Sequence, residues 1–323
     1  MNKLHRLRMM DIAKGIAIIL VVIGHAIPDA STRNGIASPS LKIIFDLIYS
    51  FHMPLFFLIS GYFVNTLIAK EDVYTSIKKK FQRLMVPYIF VGLCYAPCKL
   101  LLSRFANDPF HLSNLWKMLI GINPDGELWF LYSLFIISAF SYFIRVRVNK
   151  VWIVCSGIIG GGTLWLPNIV SHILFFQFFF FIGIYLRQNN PKWIRNISSK
   201  IFIICLLLWG ILNIPYHYGT VFPVKLFTGI FGSICILYLS NKFENSNSVV
   251  VKGLEVAGKY CMEIYILSDI VKIPLRIIFW SKLHMYYFSF IICSVLDVIL
   301  PIIIKKYIIA RFKLLNLLCF GER

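Results

Sequence analysis

The 323-residue sequence has no polar stretch long enough to fold as a soluble domain, no internal repeat of fixed period and no low-complexity tract. The missing repeat removes support for a transporter built from paired halves. Cysteine occurs eight times without a CxxC, and the closest pair, Cys94 and Cys98, is one helical turn apart. No disulfide framework, redox pair or cysteine metal site is indicated, and all eight read as small buried hydrophobes. Acidic residues are scarce, 14 against 33 Lys plus Arg, for a net charge of +19. The cations fall between apolar runs, where charge bias sets membrane orientation, so nucleic acid is not the expected partner.

What is present is hydrocarbon. Hydrophobic residues make up 59% of the chain and the mean hydropathy is +0.76, against about 45–50% apolar residues in a soluble domain. Apolar runs of about 17 to 25 residues recur along the chain, the length that a hydrocarbon core of about 30 Å demands of a helix. They predict an all-α polytopic membrane protein of about ten transmembrane helices, near 9–28, 41–68, 84–103, 127–144, 151–166, 170–187, 200–213, 221–240, 260–280 and 285–305. With the N-terminus in the cytoplasm, 23 of the 33 Lys and Arg fall on that side, among them Lys3, Arg6, Lys70, Arg145, Arg147 and Arg323. The segments "LPNIVS" and "NIPYHYG", on the other side, carry none, so both termini are expected to be cytoplasmic. The first run holds Lys14 and His25 and lacks a cleavage site after it, so it reads as a helix rather than a signal peptide. Residues 1–323 are read as one membrane domain with no appended soluble domain. Most of the seven Trp lie near helix ends, as an interfacial belt would, and "FFQFFFFIG" reads as lipid-facing or packing surface.

Against this background the ionisable residues inside apolar runs stand out, because each costs several kcal/mol there. In "DIAKGIAIILVVIGHAI", Lys14 and His25 are eleven residues apart, which returns them to nearly one helix face, about 16 Å apart along the axis. Asp11 and Lys14 at i, i+3 have a plain reading, a neutral pair with Lys14 reaching toward the cytoplasm. His25 lies in the outer half of the helix and has two readings, a hydrogen-bonded structural imidazole or a general base facing a wet cavity. In "FHMPLFFLISGYF", Pro54 removes a backbone donor and Ser60-Gly61 permits close packing, and His52 lies at a depth comparable to His25. In "KKKFQRLMVPY", Lys80 and Arg83 share a face, either as orientation-setting charge or as a phosphate clamp. Glu127 in "GELWFLY" is either a helix-start carboxylate favoured by the dipole or a residue orienting substrate or imidazole.

These segments, with "LWFLYSLF", occur in an order and at spacings that resemble the acyltransferase-3 family of bacterial integral-membrane acyltransferases, of polysaccharide O-acetyltransferase type. The resemblance covers the whole chain and is strongest in its first 140 residues. It implies a multi-pass protein of the bacterial inner (cytoplasmic) membrane that moves an acyl group, usually acetyl, from cytoplasmic acetyl-CoA to a hydroxyl of an envelope polysaccharide or lipid-linked sugar. No metal is implied. Lys14 and His25 match the family's first-helix pattern. Lys80 and Arg83 meet a third-helix pattern of two arginines with Lys in the first place, which cannot form a bidentate fork. A second departure is Ser268 in "EIYILSD", where many relatives carry His.

The expected arrangement places the phosphates of acetyl-CoA on Lys14, Lys80 and Arg83, and the thioester near His25. His25 takes the proton of the acceptor hydroxyl, with His52 and Glu127 as orienting candidates and Asp11 beside Lys14. A flippase or exporter of lipid-linked sugars is the alternative, since it also needs charges facing a cavity. A membrane glycosyltransferase is less favoured, because it would call for a large outer loop rich in acidic or arginine residues, and the longest, 104–127, holds only Arg104, Asp108, Asp125 and Glu127 of those types.

Overall fold

The computed structural model describes residues 8–27, 39–64, 72–101, 111–144, 148–214 and 222–322. Lys3, Arg6, Lys70, Arg104, Asp108, Arg145, Arg147 and Arg323 lie outside the described residues. Within them the chain is all-helical, with no strand. In order the helices are α1 (Arg8–Ala26), α2 (Pro39–Tyr49), α3 (His52–Phe63), α4 (Val73–Lys80), α5 (Val86–Leu101), α6 (Trp129–Ile144) and α7 (Lys150–Gly161). They continue with α8 (Asn168–Asn189), α9 (Ser199–Asn213), α10 (Phe222–Phe243), α11 (Val249–Lys259), α12 (Cys261–Leu275), α13 (Tyr286–Tyr307) and α14 (Lys313–Phe320). A π-helical turn, Phe81–Met85, joins α4 to α5, and another, Arg276–Lys282, extends α12.

Seven helical stretches are long and apolar enough to cross a membrane: Arg8–Ala26, Pro39–Phe63, Val73–Leu101, Gly126–Ile144, Asn168–Asn189, Pro223–Phe243 and Tyr286–Arg311. The other three expected spans are helical and fall short for identifiable reasons. At about 1.5 Å per residue, α7 and α9 reach only about 18 and 22 Å. The α12 stretch carries Glu263, Asp269, Lys272, Arg276 and Lys282. Three α-helices were not expected, α4, read as loop, and the short α11 and α14, both too brief to register as membrane runs, and neither was the 3-10 helix Leu112–Ile120.

The chain forms two compact units, Met1–Ser60 with Leu186–Ile302, and Gly61–Tyr185 with Ile303–Arg323. In the first, α1 packs against α2, α10, α11 and α12 and is buried on most of its surface, which explains its apolar residues on every face. Gly15 and Gly258 set the α1–α11 approach: a Cβ on Gly15 would collide with the Leu254 carbonyl, and one on Gly258 with the Asp11 carbonyl. In the second unit, α4 packs on α6, and α14 on α5. The phenylalanine run serves for packing, since Phe175, Phe176, Phe178, Phe179, Phe180 and Phe181 are all buried. Gly61 meets the Phe180 backbone where a Cβ would clash.

The uniform reading of the cysteines needs correction. Cys205, Cys235, Cys293 and Cys319 are buried, but Cys94, Cys98 and Cys155 are exposed on outer helix faces.

The second expected helix is broken, and Pro54 explains where. Its ring excludes the carbonyl four residues back and it has no N–H to offer that carbonyl, which belongs to Ser50. Helix α2 accordingly ends at Tyr49 and α3 begins at His52. The freed groups find partners inside the unit, as an apolar surrounding requires. The Ser50 carbonyl accepts from Thr228 Oγ1 of α10 at 3.3 Å, and Ser50 Oγ donates to the Leu47 carbonyl at 2.7 Å while accepting from Trp209 Nε1 of α9 at 3.1 Å. Gly232 of α10 leaves room for Phe51, whose side chain a Cβ would strike.

Candidate active site

In the first unit the α1 stripe begins with an ion pair. Buried Asp11 is bonded to Lys14 Nζ at 2.8 Å, and Lys14 keeps 27% of its side chain accessible. Asp11 therefore neutralises Lys14. His25 is fourteen residues away on the same helix, about 21 Å along the axis, beyond the reach of that carboxylate. Arg8, six residues before Lys14, donates to Glu255 at 2.8 Å and to the carbonyls of Glu244 and Ser246 at 2.5 and 2.9 Å. Hydrogen bonds from Lys259 first, and from Arg8, hold the Glu255 carboxyl below the usual carboxylate range.

The helix break brings the two expected histidines to one aromatic residue. His52 Nδ1 lies 2.8 Å from the Ile48 carbonyl. A carbonyl only accepts, so Nδ1 carries the hydrogen and Nε2 presents a lone pair when the ring is neutral. Tyr49 stands edge-on to His52, centroids 4.8 Å apart, and its hydroxyl is 3.3 Å from His25 Nδ1. Gly24 permits this approach, because a Cβ there would lie 2.9 Å from the Tyr49 ring. Phe45 stacks on the other side of Tyr49 at 3.9 Å and fixes its plane. His25 and Tyr49 are half-buried and His52 is fully buried, so of the two imidazoles His25 is the one a substrate can reach. Lys225 of α10 is half-buried and close enough for its charge to act on His52.

In the second unit, Lys80 closes α4 and Arg83 sits in the π-helical turn that follows, a local feature frequent at functional sites. Arg83 Nη1 donates to the Phe320 carbonyl at 3.0 Å and to Glu322 Oε1 at 2.7 Å. The expected clamp residue is thus engaged by the segment after α14. Glu127 is half-buried in a short turn before α6, with its N–H donating to Asp125 Oδ1 at 3.0 Å, the setting of a helix-start carboxylate. That turn is fixed to α5, since Asn123 donates to the Tyr88 carbonyl and Tyr88 to the Met118 carbonyl, both at 2.9 Å.

The structure therefore unites His25 with His52 through Tyr49, Asp11 with Lys14, and Lys80 with Arg83. It places His25, His52, Asp11 and Lys14 in one unit and Lys80, Arg83 and Glu127 in the other. Tyr49 was missed in the sequence, although it stands at i, i+3 to His52 and the glycine before His25 hints at a close neighbour. Arg276, which donates to the Ile27 carbonyl at 3.3 Å just beyond His25, was also missed. Ser268 is buried and donates to the Tyr265 carbonyl at 3.3 Å, beside an Asp269–Lys272 ion pair. Among the described residues no group of three or more His, Cys, Asp or Glu is arranged to hold a metal ion.

A family model described as "Acyltransferase domain" matches residues 8–304. The chain is 28% identical over 219 residues to a nodulation protein, NolL, of Mesorhizobium japonicum, covering 62% of this chain and 56% of that protein. A NolL nodulation protein of Sinorhizobium fredii is 27% identical over 216 residues, covering 62% and 57%. The chain thus spans little more than half the length of these relatives. No solved structure matches it.

Proposed function

The chain belongs to the acyltransferase-3 family, and from that premise we propose that it transfers an acetyl group from acetyl-CoA to a hydroxyl of an envelope polysaccharide or lipid-linked sugar. In this reading it is a single domain of the bacterial inner membrane that crosses ten times, with both termini in the cytoplasm. The observation that carries the chemistry is the accessible His25 imidazole, oriented by the Tyr49 hydroxyl at 3.3 Å. With Nδ1–H donating to the Tyr49 oxygen, Nε2 keeps its lone pair. It removes the proton of the acceptor hydroxyl while that oxygen attacks the thioester carbonyl. The C–S bond breaks, CoA leaves as thiolate, and the imidazolium returns the proton to sulfur. General-base help of this kind is worth about 10² to 10⁴ in rate.

Lys14 supports the reading as a partly accessible cation on the His25 face, about 16 Å from it, a distance that a long pantetheine arm suits and a short thioester does not. Lys80 and Arg83 are assigned to the phosphates of the donor, and Asp11 to holding Lys14. Buried His52, with its Nδ1–H committed to the Ile48 carbonyl, is assigned to positioning Tyr49 rather than to proton transfer. Glu127 is the remaining candidate for contact with the acceptor.

The test is transfer of radiolabelled acetyl from acetyl-CoA to a lipid-linked sugar by the purified chain in proteoliposomes, together with thermal stability in acetyl-CoA. Label transfer lost in His25→Ala, with stabilisation by acetyl-CoA retained, is the expected result. Indifference of the protein to acetyl-CoA in both assays would favour the flippase.

A further inference from the structure

The most concentrated charge arrangement outside the His25 group lies in the second unit, where residues distant in sequence converge on one carboxylate. Glu322 Oε1 is 2.7 Å from Arg83 Nη1 and Oε2 is 2.5 Å from Lys305 Nζ. The segment carrying it is fastened on both sides. Gln82 Nε2 donates to the Gly321 carbonyl at 3.1 Å, Arg83 to the Phe320 carbonyl at 3.0 Å, and Asn316 Nδ2 to the Glu322 carbonyl at 3.4 Å. Lys305 also bonds Asn316 and stands over the Phe320 ring, 4.3 Å from its centroid. Gly321 adopts the left-handed region, φ 64°, and approaches the Gln82 carbonyl where a Cβ would clash, so the chain can turn sharply enough to aim Glu322 at both cations.

Two cations from different helices bonded to the two oxygens of one anion form a site with the shape of a phosphate clamp. A carboxylate brings one negative charge to it. Two cations, Arg83 and Lys305, thus face a single negative charge. A phosphate monoester carries about −1.5 to −2 charges and three acceptor oxygens, and so matches this cluster better than Glu322 does. The Glu322 side chain retains 35% of its accessibility, so an incoming anion can reach it.

Resting on the assignment of Lys80 and Arg83 to the donor, we propose that Lys305 completes a phosphate-binding site for the acyl donor, and that Glu322 fills this site as an internal anion which the donor displaces. The segment after α14 is then a competitive latch. Anionic lipid headgroups share the phosphate chemistry, and the test separates the two sources.

The experiment measures binding of coenzyme A to the purified full chain and to its Glu322→Gln, Lys305→Gln and Arg83→Gln variants. Each is held in nanodiscs of zwitterionic lipid and, in a second arm, of phosphatidylglycerol. Glu322→Gln keeps the shape of the segment and removes the competing charge, so it should tighten CoA binding about three- to tenfold. Lys305→Gln and Arg83→Gln should each weaken it about tenfold or more, and Lys305→Arg should restore it. Thermal melts of each variant show that the fold is intact. Weakening by Arg83→Gln alone, with Glu322→Gln and Lys305→Gln at wild-type affinity, overturns the latch while leaving the donor assignment in place. Wild-type affinity in all three variants overturns both. CoA binding unchanged in zwitterionic discs, with Lys305→Gln losing co-purified phosphatidylglycerol, gives the site to lipid and also overturns the proposal.

Discussion

The Tyr49 hydroxyl stands 3.3 Å from Nδ1 of His25, and the ring that carries it lies against α1 where Gly24 has no side chain. This contact joins the first helix of the chain to the end of a broken second one, and it sets which nitrogen of His25 faces Tyr49. Removing the hydroxyl while keeping the ring isolates the effect. Tyr49→Phe is expected to lower kcat about tenfold, the worth of one hydrogen bond of roughly 1.4 kcal/mol, with KM for acetyl-CoA unchanged. Steady-state kinetics on both substrates check this, and a rise in donor KM with normal kcat would count against a role at the imidazole.

His25→Ala is expected to reduce transfer by at least about 10²-fold and to leave the affinity for acetyl-CoA within twofold of wild type. Isothermal titration beside the transfer assay distinguishes a lost base from a lost binding site. Normal turnover in the folded variant would remove His25 from the chemistry.

Stability of the first unit depends on two glycines that let helix backbones touch. Gly15→Val and Gly258→Ala each drive a side chain into a facing carbonyl, of Leu254 and of Asp11 respectively, and overpacking of this kind costs about 1–3 kcal/mol. Both should lower the melting temperature in detergent. Gly253→Ala, where a Cβ would meet nothing, should not.

The Arg8–Glu255–Lys259 cluster gives a pH dependence of known sign. Its hydrogen bonds lower the folded-state pKa of Glu255 below its unfolded value. The stabilisation is therefore fully present above the ordinary carboxylate range and is lost as pH falls through the depressed folded value. Limited proteolysis of the 244–259 segment should be slow near neutral pH and faster below about pH 4. In Glu255→Gln the rates at the two pH values should differ much less.

Parity tests the number of crossings. Seven spans place the two termini on opposite sides of a membrane, and ten place them together. A reporter fused after Trp193 should read cytoplasmic if α7 crosses and external if it does not, while Val148 and Asn247 read cytoplasmic in either topology. An external reading at Trp193 would rule out the ten-span topology.

The sequence by itself determined the helical class, the membrane setting and the residues worth suspecting, because hydrocarbon imposes long apolar runs and makes each ionisable residue within them conspicuous. The missing N–H of Pro54 was legible too, but residues 41–68 read as one helix, and the break between Tyr49 and His52 is seen only in the structure. Asp11 and Lys14 were legible as a pair because i, i+3 contacts are set by helix geometry alone. Tertiary structure decided what each candidate touches. Glu322 meets Arg83 across 239 positions of sequence, and Tyr49 reaches His25 across 24. Hydropathy and periodicity describe which face of a helix is apolar, but they carry no information about which distant face it meets. Only packing through Gly24, Gly15 with Gly258, and the turn at Gly321 sets those meetings, since each requires two backbones, or a backbone and a ring, to approach more closely than any side chain would allow.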